Sequence, residues 1–169
     1  IFALLIISFF EKIMLDQIVL ASFIPIIIGM GGNVGTQTST IIVRGIATGH
    51  VNIDEFYKVI IKEIKVGLIL GIIYGILLGI LGAIISLLTK SNFLNLSINA
   101  SPLELGLTVS LSIFSSILIA CTVASIIPMI LYKLKLDPAV STGPFVTTAI
   151  DILGAVSYTH LRAHETDIN

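Results

Sequence analysis

One carboxylate stands in an otherwise uncharged run. Asp151 is the single charged residue between Pro138 and Val156. The run opens on Asp137-Pro138, where Asp suits a helix N-cap and Pro the first helical turn. A helix rising 1.5 Å per residue carries Asp151 about 21 Å beyond that cap, deep inside a bilayer if the run spans one. A carboxylate at that depth costs about 2.5–3.5 kcal/mol on insertion scales and normally faces a cavity or a partner. No Lys or Arg inside an apolar run is available to pair with it. The residue type and depth therefore point to a cation or proton site, and the plainer alternative is a protonated or hydrogen-bonded Asp between helices. Thr147 and Thr148 lie one turn before it and could bond to it or to a hydrated ion.

A second polar locus lies near the other end of the chain. After Pro25 comes GMGGNVGTQTST (Gly29–Thr40), which joins Gly29, Gly31, Gly32 and Gly35 to Asn33, Thr36, Gln37, Thr38 and Thr40. This composition predicts an interrupted helix. Irregular backbone at membrane depth is tolerated only inside protein or along a watery cavity, so the stretch points to a conduction path or substrate site. Polar helix packing is the structural alternative. Neither the glycine spacing nor a strand context fits a dinucleotide or P-loop site. Ser110, Ser112, Ser115, Ser116, Thr122 and Ser125 suit helix bridging better than a pore. Cys121 fits an apolar filler, and Pro128 a kink. Gly67, Gly71, Gly75 and Gly79, with Gly82 beyond, make a smooth groove where another backbone can approach, either within the chain or at a dimer seam.

Composition sets the medium. Of 169 residues, 56% are hydrophobic and 11% charged, with mean hydropathy +1.10. A soluble domain carries about a quarter charged residues, so a polytopic membrane protein is expected. A net charge of −1 excludes a broad basic nucleic-acid surface, and a single Cys excludes a disulfide framework or cysteine–zinc cluster. Residues 1–156 form one expected transport domain. Its elements are a partial first helix at 1–10, too short to span, and spans at about 17–47, 66–89, 105–132 and 138–156. Ser157 to Asn169 turns abruptly polar and is expected to be a non-native tail, although its histidines also invite a metal reading. Asn52–Lys65 is amphipathic, with Phe56, Val59, Ile60 and Ile64 on one face. It is expected to lie in the interface, capped by Asn52 or Asp54, and Asn92–Pro102 is expected to form an external loop. Arg44, Lys58, Lys62, Lys65, Lys133 and Lys135 fall on one side, against Lys12 and Lys90 on the other. By the positive-inside rule the Arg44–Lys65 side is cytoplasmic, which puts Glu11 and Asp16 at the external mouth of the second span.

PIIIGMGGNVGTQTSTIIVRGIA (Pro25–Ala47) together with DPAVSTGPFVTTAIDILG (Asp137–Gly154) resembles the transmembrane domain of the MgtE magnesium transporters, a domain that related animal solute carriers share. The resemblance covers essentially residues 1–156. It implies an all-α homodimer of five-helix protomers around a central Mg²⁺-selective pore, in a cell (inner or plasma) membrane. It also implies that Asp151 is the main ion-binding carboxylate and that Asn33, in the GGN turn, lines the pore. Full-length bacterial members carry an acidic cytoplasmic N-terminal domain and CBS domains, which bind Mg²⁺ and close the pore. This sequence departs from the pattern in two ways. The regulatory domains and the start of the first helix are not expected within these residues. The fifth helix is also cut short, turning to SYTHLRAHET where the family continues with apolar and aromatic residues.

Ligand chemistry agrees with this reading. Mg²⁺ prefers oxygen ligands and keeps several waters, and a dimer would present two copies of Asp151 ringed by Thr147, Thr148, Asn33 and backbone oxygens. The spans hold one Cys and no His, which disfavours soft metals, and oxygen chemistry alone admits Mn²⁺, Co²⁺ or Ca²⁺ beside Mg²⁺. The leading expectation is a channel-like Mg²⁺ pore, and the alternative is an H⁺- or Na⁺-coupled carrier. An intramembrane protease lacks its second carboxylate or its base. A purely structural subunit leaves Asp151 unexplained.

Overall fold

The computed structural model describes residues 18–52, 55–90 and 101–166. They form four α-helices: α1 (Ile18–Ala47), α2 (Phe56–Lys90), α3 (Pro102–Lys133) and α4 (Pro138–Thr166). The expected first-helix fragment at 1–10, with Glu11, Lys12 and Asp16, lies outside the described residues. So does most of the expected external loop. Two of the four helices, α2 and α3, are long and apolar enough to cross a membrane.

α3 is the centre of the bundle. It packs against α1, α2 and α4, and α1 also packs against α4. Its buried Leu105, Val109, Ile113 and Ile117 meet Phe23, Ile24, Ile27 and Val34 of α1, while Ala120 and Ala124 meet Val146 and Ile150 of α4. Both ends of α3 are built from local signals. At its start the Ser101 hydroxyl accepts from the Glu104 N–H (3.2 Å), and the Glu104 carboxylate accepts from the Ser101 N–H (2.7 Å). This reciprocal cap satisfies two otherwise unpaired donors. At its end Leu136 N–H donates to the Leu131 carbonyl and Lys135 N–H to that of Tyr132, both at 3.0 Å.

The glycine ladder of α2 faces α3 of the same chain. A Cβ on Gly67 would lie 3.0 Å from that of Cys121, one on Gly75 2.9 Å from the Ser110 carbonyl oxygen, and one on Gly79 2.8 Å from that of Gly106. Gly71 meets Phe114 in the same way. The opposite side of α2, including Ile69, Ile73, Leu77 and Ile80, is exposed apolar surface.

Three expectations about the elements are corrected. α1 is not interrupted: it stays helical through Gly29–Thr40, so the GGN segment is a helix face and not a turn. Intrahelical hydrogen bonds hold the backbone there, and the glycines act on packing. The Asn52–Lys65 segment does not form a separate interfacial helix. From Phe56 it is the first part of α2, whose 35 residues span about 52 Å against a hydrocarbon core of about 30 Å. Its end therefore projects past the core as an extension of the span. Finally, α4 does not stop at Val156 but runs to Thr166, because no Gly or Pro follows Gly154 to end it.

Both basic connections lie at one end of the bundle. The α1–α2 turn is closed by Gly49 (φ 71°). The α3–α4 turn ends where Asp137 Oδ1 accepts from the Ala139 N–H at 2.9 Å, the expected cap. Between α2 and α3 at this end, Lys133 Nζ sits 5.0 Å from the Phe56 ring centroid. Of the residues expected to cap α2, Asn52 accepts from the Glu55 N–H through its backbone carbonyl, 3.1 Å, and Asp54 lies outside the described residues.

Candidate functional site

α1 has two unlike faces. Its inner face carries Phe23, Ile27, Gly31, Val34, Gly35, Thr38 and Ile42, all buried, and its outer face carries Gly29, Asn33, Thr36, Gln37, Thr40 and Arg44, all exposed. The period is helical, so one sequence stretch supplies a packing seam and a polar stripe on opposite sides. The seam is tight. Gly31 leaves no room for a Cβ beside the Ser116 hydroxyl, and Gly35 none beside the Ile150 side chain. Ser116 Oγ donates to the Ile27 carbonyl at 3.1 Å, pinning α3 to α1. Gly29 and Gly32, by contrast, face open space.

α4 repeats the division. Thr142, Val146 and Ile150 point into the bundle, while Gly143, Thr147 and Thr148 are exposed and Asp151 is half-buried. The Thr147 hydroxyl donates back to the carbonyls of Gly143 (3.0 Å) and Pro144 (3.3 Å). Its proton is thereby committed to its own helix, and its oxygen is left to accept from a neighbour such as an ion's water. Asp151 makes no hydrogen bond or ion pair with a described residue.

Ile150 fixes the relative depth of the two stripes. It inserts between Gly31 and Gly35 of α1, so Asp151 and Asn33 sit at the same level of the bundle. Asn33 is two residues from either glycine, about half a turn round α1, and so projects away from Ile150. Within one protomer the structure aligns the two residues in depth but does not bring Asn33 onto Asp151. Among the described residues no three of His, Cys, Asp and Glu gather as a metal cluster.

A buried carboxylate escaped the sequence reading. Glu63 of α2 is 6% exposed, although it lies among the lysines of a segment expected at the interface. The available signal was phase: Glu63 precedes Gly67 by one turn and so extends the glycine seam toward α3. Among the described residues, the hydroxyls of Ser112 and Thr142 are buried without a partner.

Comparison with known proteins places this arrangement. Residues 24–161 match the MgtE family, described as a divalent cation transporter. The chain is 35% identical over 153 residues to the magnesium transporter MgtE of Bacillus subtilis, covering 90% of this chain and 31% of that protein. It is 30% identical over 157 residues to the magnesium transporter MgtE of Enterococcus faecalis, covering 93% and 32%. With the magnesium transporter MgtE of Thermus thermophilus it shares 31% over 151 residues, covering 88% and 30%. The chain therefore spans about a third of the length of these curated relatives.

Proposed function

This chain belongs to the MgtE family of divalent cation transporters, and on that premise we propose that it passes Mg²⁺ through a channel-like pore at the axis of a homodimer, with Asp151 as the ion-binding carboxylate. The observation that carries the reading is the pair of polar stripes. Where α2 between Lys65 and Lys90 exposes only apolar residues, α1 and α4 expose Asn33, Thr36, Gln37, Thr147 and Thr148 near the depth of Asp151, with Ile41 and Phe145 among them. Polar surface at that depth needs water or protein over it. A second copy applied to this side supplies both, since two copies enclose a polar path and present two carboxylates at one level.

The ion's chemistry suits such a path. Mg²⁺ gives up water reluctantly and is often held through its hydration shell by one or two carboxylates. One Asp151 from each protomer offers the charge, and hydroxyl oxygens such as that of Thr147, with its proton turned inward, accept from the ion's waters. Mn²⁺ and Co²⁺ fit the same oxygen set and are further candidate cargo. The basic end, with Arg44, Lys58, Lys62, Lys65, Lys133 and Lys135, faces the cytoplasm of the cell membrane in this reading. The regulatory N-terminal and CBS domains of full-length family members would precede the partial first helix, on the cytoplasmic side.

Flux measurement tests the proposal. The chain is reconstituted in liposomes loaded with a Mg²⁺-sensitive dye, and influx is recorded at a set negative-inside potential. Asp151→Ala is expected to reduce influx to the level of empty liposomes without changing the elution volume of the protein, and Asp151→Glu to retain part of it. Normal influx through the Ala variant overturns the site. Flux that follows a proton or sodium gradient at zero voltage replaces the channel with a coupled carrier.

A further inference from the structure

At the basic end of the bundle a cleft of about 1050 Å³ opens between the α1–α2 and α3–α4 turns. Its lining joins apolar Ile46, Val51 and Leu136 to polar Asn52, Tyr132, Lys133 and Lys135. Neither lysine is in an ion pair with a described residue, and the Lys133 ammonium rests over the Phe56 ring, a contact that leaves its charge unneutralised. Among the described residues the one carboxylate in the lining is Asp137, whose Oδ1 caps α4.

The backbone beneath Lys135 supplies a second observation. Lys135 has φ 59°, the only positive φ of a non-glycine residue among those described. It occupies the left-handed position that closes a helix end, where glycine is the usual residue. A side chain there costs conformational energy that glycine avoids, and an uncompensated backbone outlier points to a function for the side chain it carries. Here that side chain is an ammonium in the lining of the cleft.

We propose that this cleft binds the headgroup of an anionic phospholipid, with Lys133 and Lys135 holding the phosphate and the apolar residues receiving the first part of the acyl chains. Depth selects a lipid over a soluble anion. The cleft lies where the uncharged run of α3, Leu105 to Tyr132, gives way to Lys133, which puts it at headgroup level. Exposed Tyr132 and Leu136 line it, the mixture that suits a membrane interface. Basic pockets between helices at this level match anionic headgroups in charge and shape. The inference assumes that the bundle sits in a bilayer, but it does not need Asp151 to conduct.

The test is lipid retention, read without any flux. The full chain is purified from membranes in mild detergent, and native mass spectrometry counts bound phosphatidylglycerol against phosphatidylcholine supplied at equal concentration. Phosphatidylglycerol is expected to be retained preferentially. Lys135→Gly, which also relieves the backbone, is expected to fold at least as well and to weaken retention about fivefold, the change that ~1 kcal/mol per interfacial lysine corresponds to. Lys133→Gln is expected to do the same at an unstrained position. Equal retention of both lipids, or unchanged retention in both variants, overturns the proposal. Displacement of phosphatidylglycerol by millimolar inorganic phosphate also overturns it, because the ligand is then a free anion.

Discussion

At the scale of single residues, charge in an apolar setting is the strongest signal in this chain, and Asp151 was legible because nothing charged surrounds it. What the structure adds is the state of its neighbour. Thr147 gives its proton to the Gly143 and Pro144 carbonyls, so it meets an ion's hydration shell as an acceptor. Thr147→Val removes that acceptor and keeps the shape. It is expected to lower Mg²⁺ influx about fivefold, the worth of one hydrogen bond of about 1 kcal/mol, with an unchanged melting midpoint. An influx equal to that of the unaltered protein removes Thr147 from the pathway. Glu63 shows the converse case. A carboxylate among Lys58, Lys62 and Lys65 looks solvated in sequence, and only helix phase, counted back from Gly67, assigns it to the buried seam.

At the scale of elements, the chain's glycines divide by what they face, and this division is where sequence reasoning ran out. The ladder on α2 announced close approach by its regular spacing, but spacing cannot say whether the approaching backbone belongs to the same chain. The structure seats α3 against it, with Gly79 and Gly106 back to back. In α1 the density of Gly, Asn and Thr suggested a break. Yet the helix persists, because Gly31 and Gly35 admit Ser116 and Ile150 on one side while the polar side chains gather on the other. Local composition could not separate a helix that is broken from one that is two-faced, although the 3.6-residue period of its polar positions carries the answer. Substitution distinguishes the two kinds of glycine. Gly79→Ala forces a Cβ onto the Gly106 carbonyl oxygen. It is expected to cost about 1–3 kcal/mol, lowering the melting midpoint in detergent by roughly 3–10 °C. Gly29→Ala meets nothing in the protomer and, inside α1, is expected to hold or slightly raise the midpoint, since Ala favours the helix by up to about 1 kcal/mol. Equal effects of the two would remove the close crossing of α2 and α3 from the account of stability.

At the scale of the whole molecule, the surface sorts into two media. The outer side of α2 is continuous Ile and Leu, with Ile69, Leu77 and Ile80 each more than half exposed. α1 and α4 instead show amides, hydroxyls and a carboxylate at mid-depth, beside exposed Ile41 and Phe145. Lipid satisfies the first surface and leaves the second unsolvated, so the polar side demands water held against a second protein surface. This division predicts a pattern of chemical access. Cys121 is fully buried and serves as a silent background. Thr147→Cys and Thr36→Cys in liposomes are expected to react with a membrane-impermeant thiol reagent, because reaction needs a thiolate and therefore water. High Mg²⁺ is expected to slow the reaction at position 147, one turn from Asp151. Leu77→Cys on the lipid side is expected to stay unmodified. In light scattering, the protein part of the particle is expected to weigh twice the 18.1 kDa of one chain. A single-chain mass with positions 36 and 147 still reactive would mean that one protomer encloses the water by itself. A reactive position 77 beside unreactive 36 and 147 would invert the assignment of the two sides, and the conducting face would then have to be sought along α2.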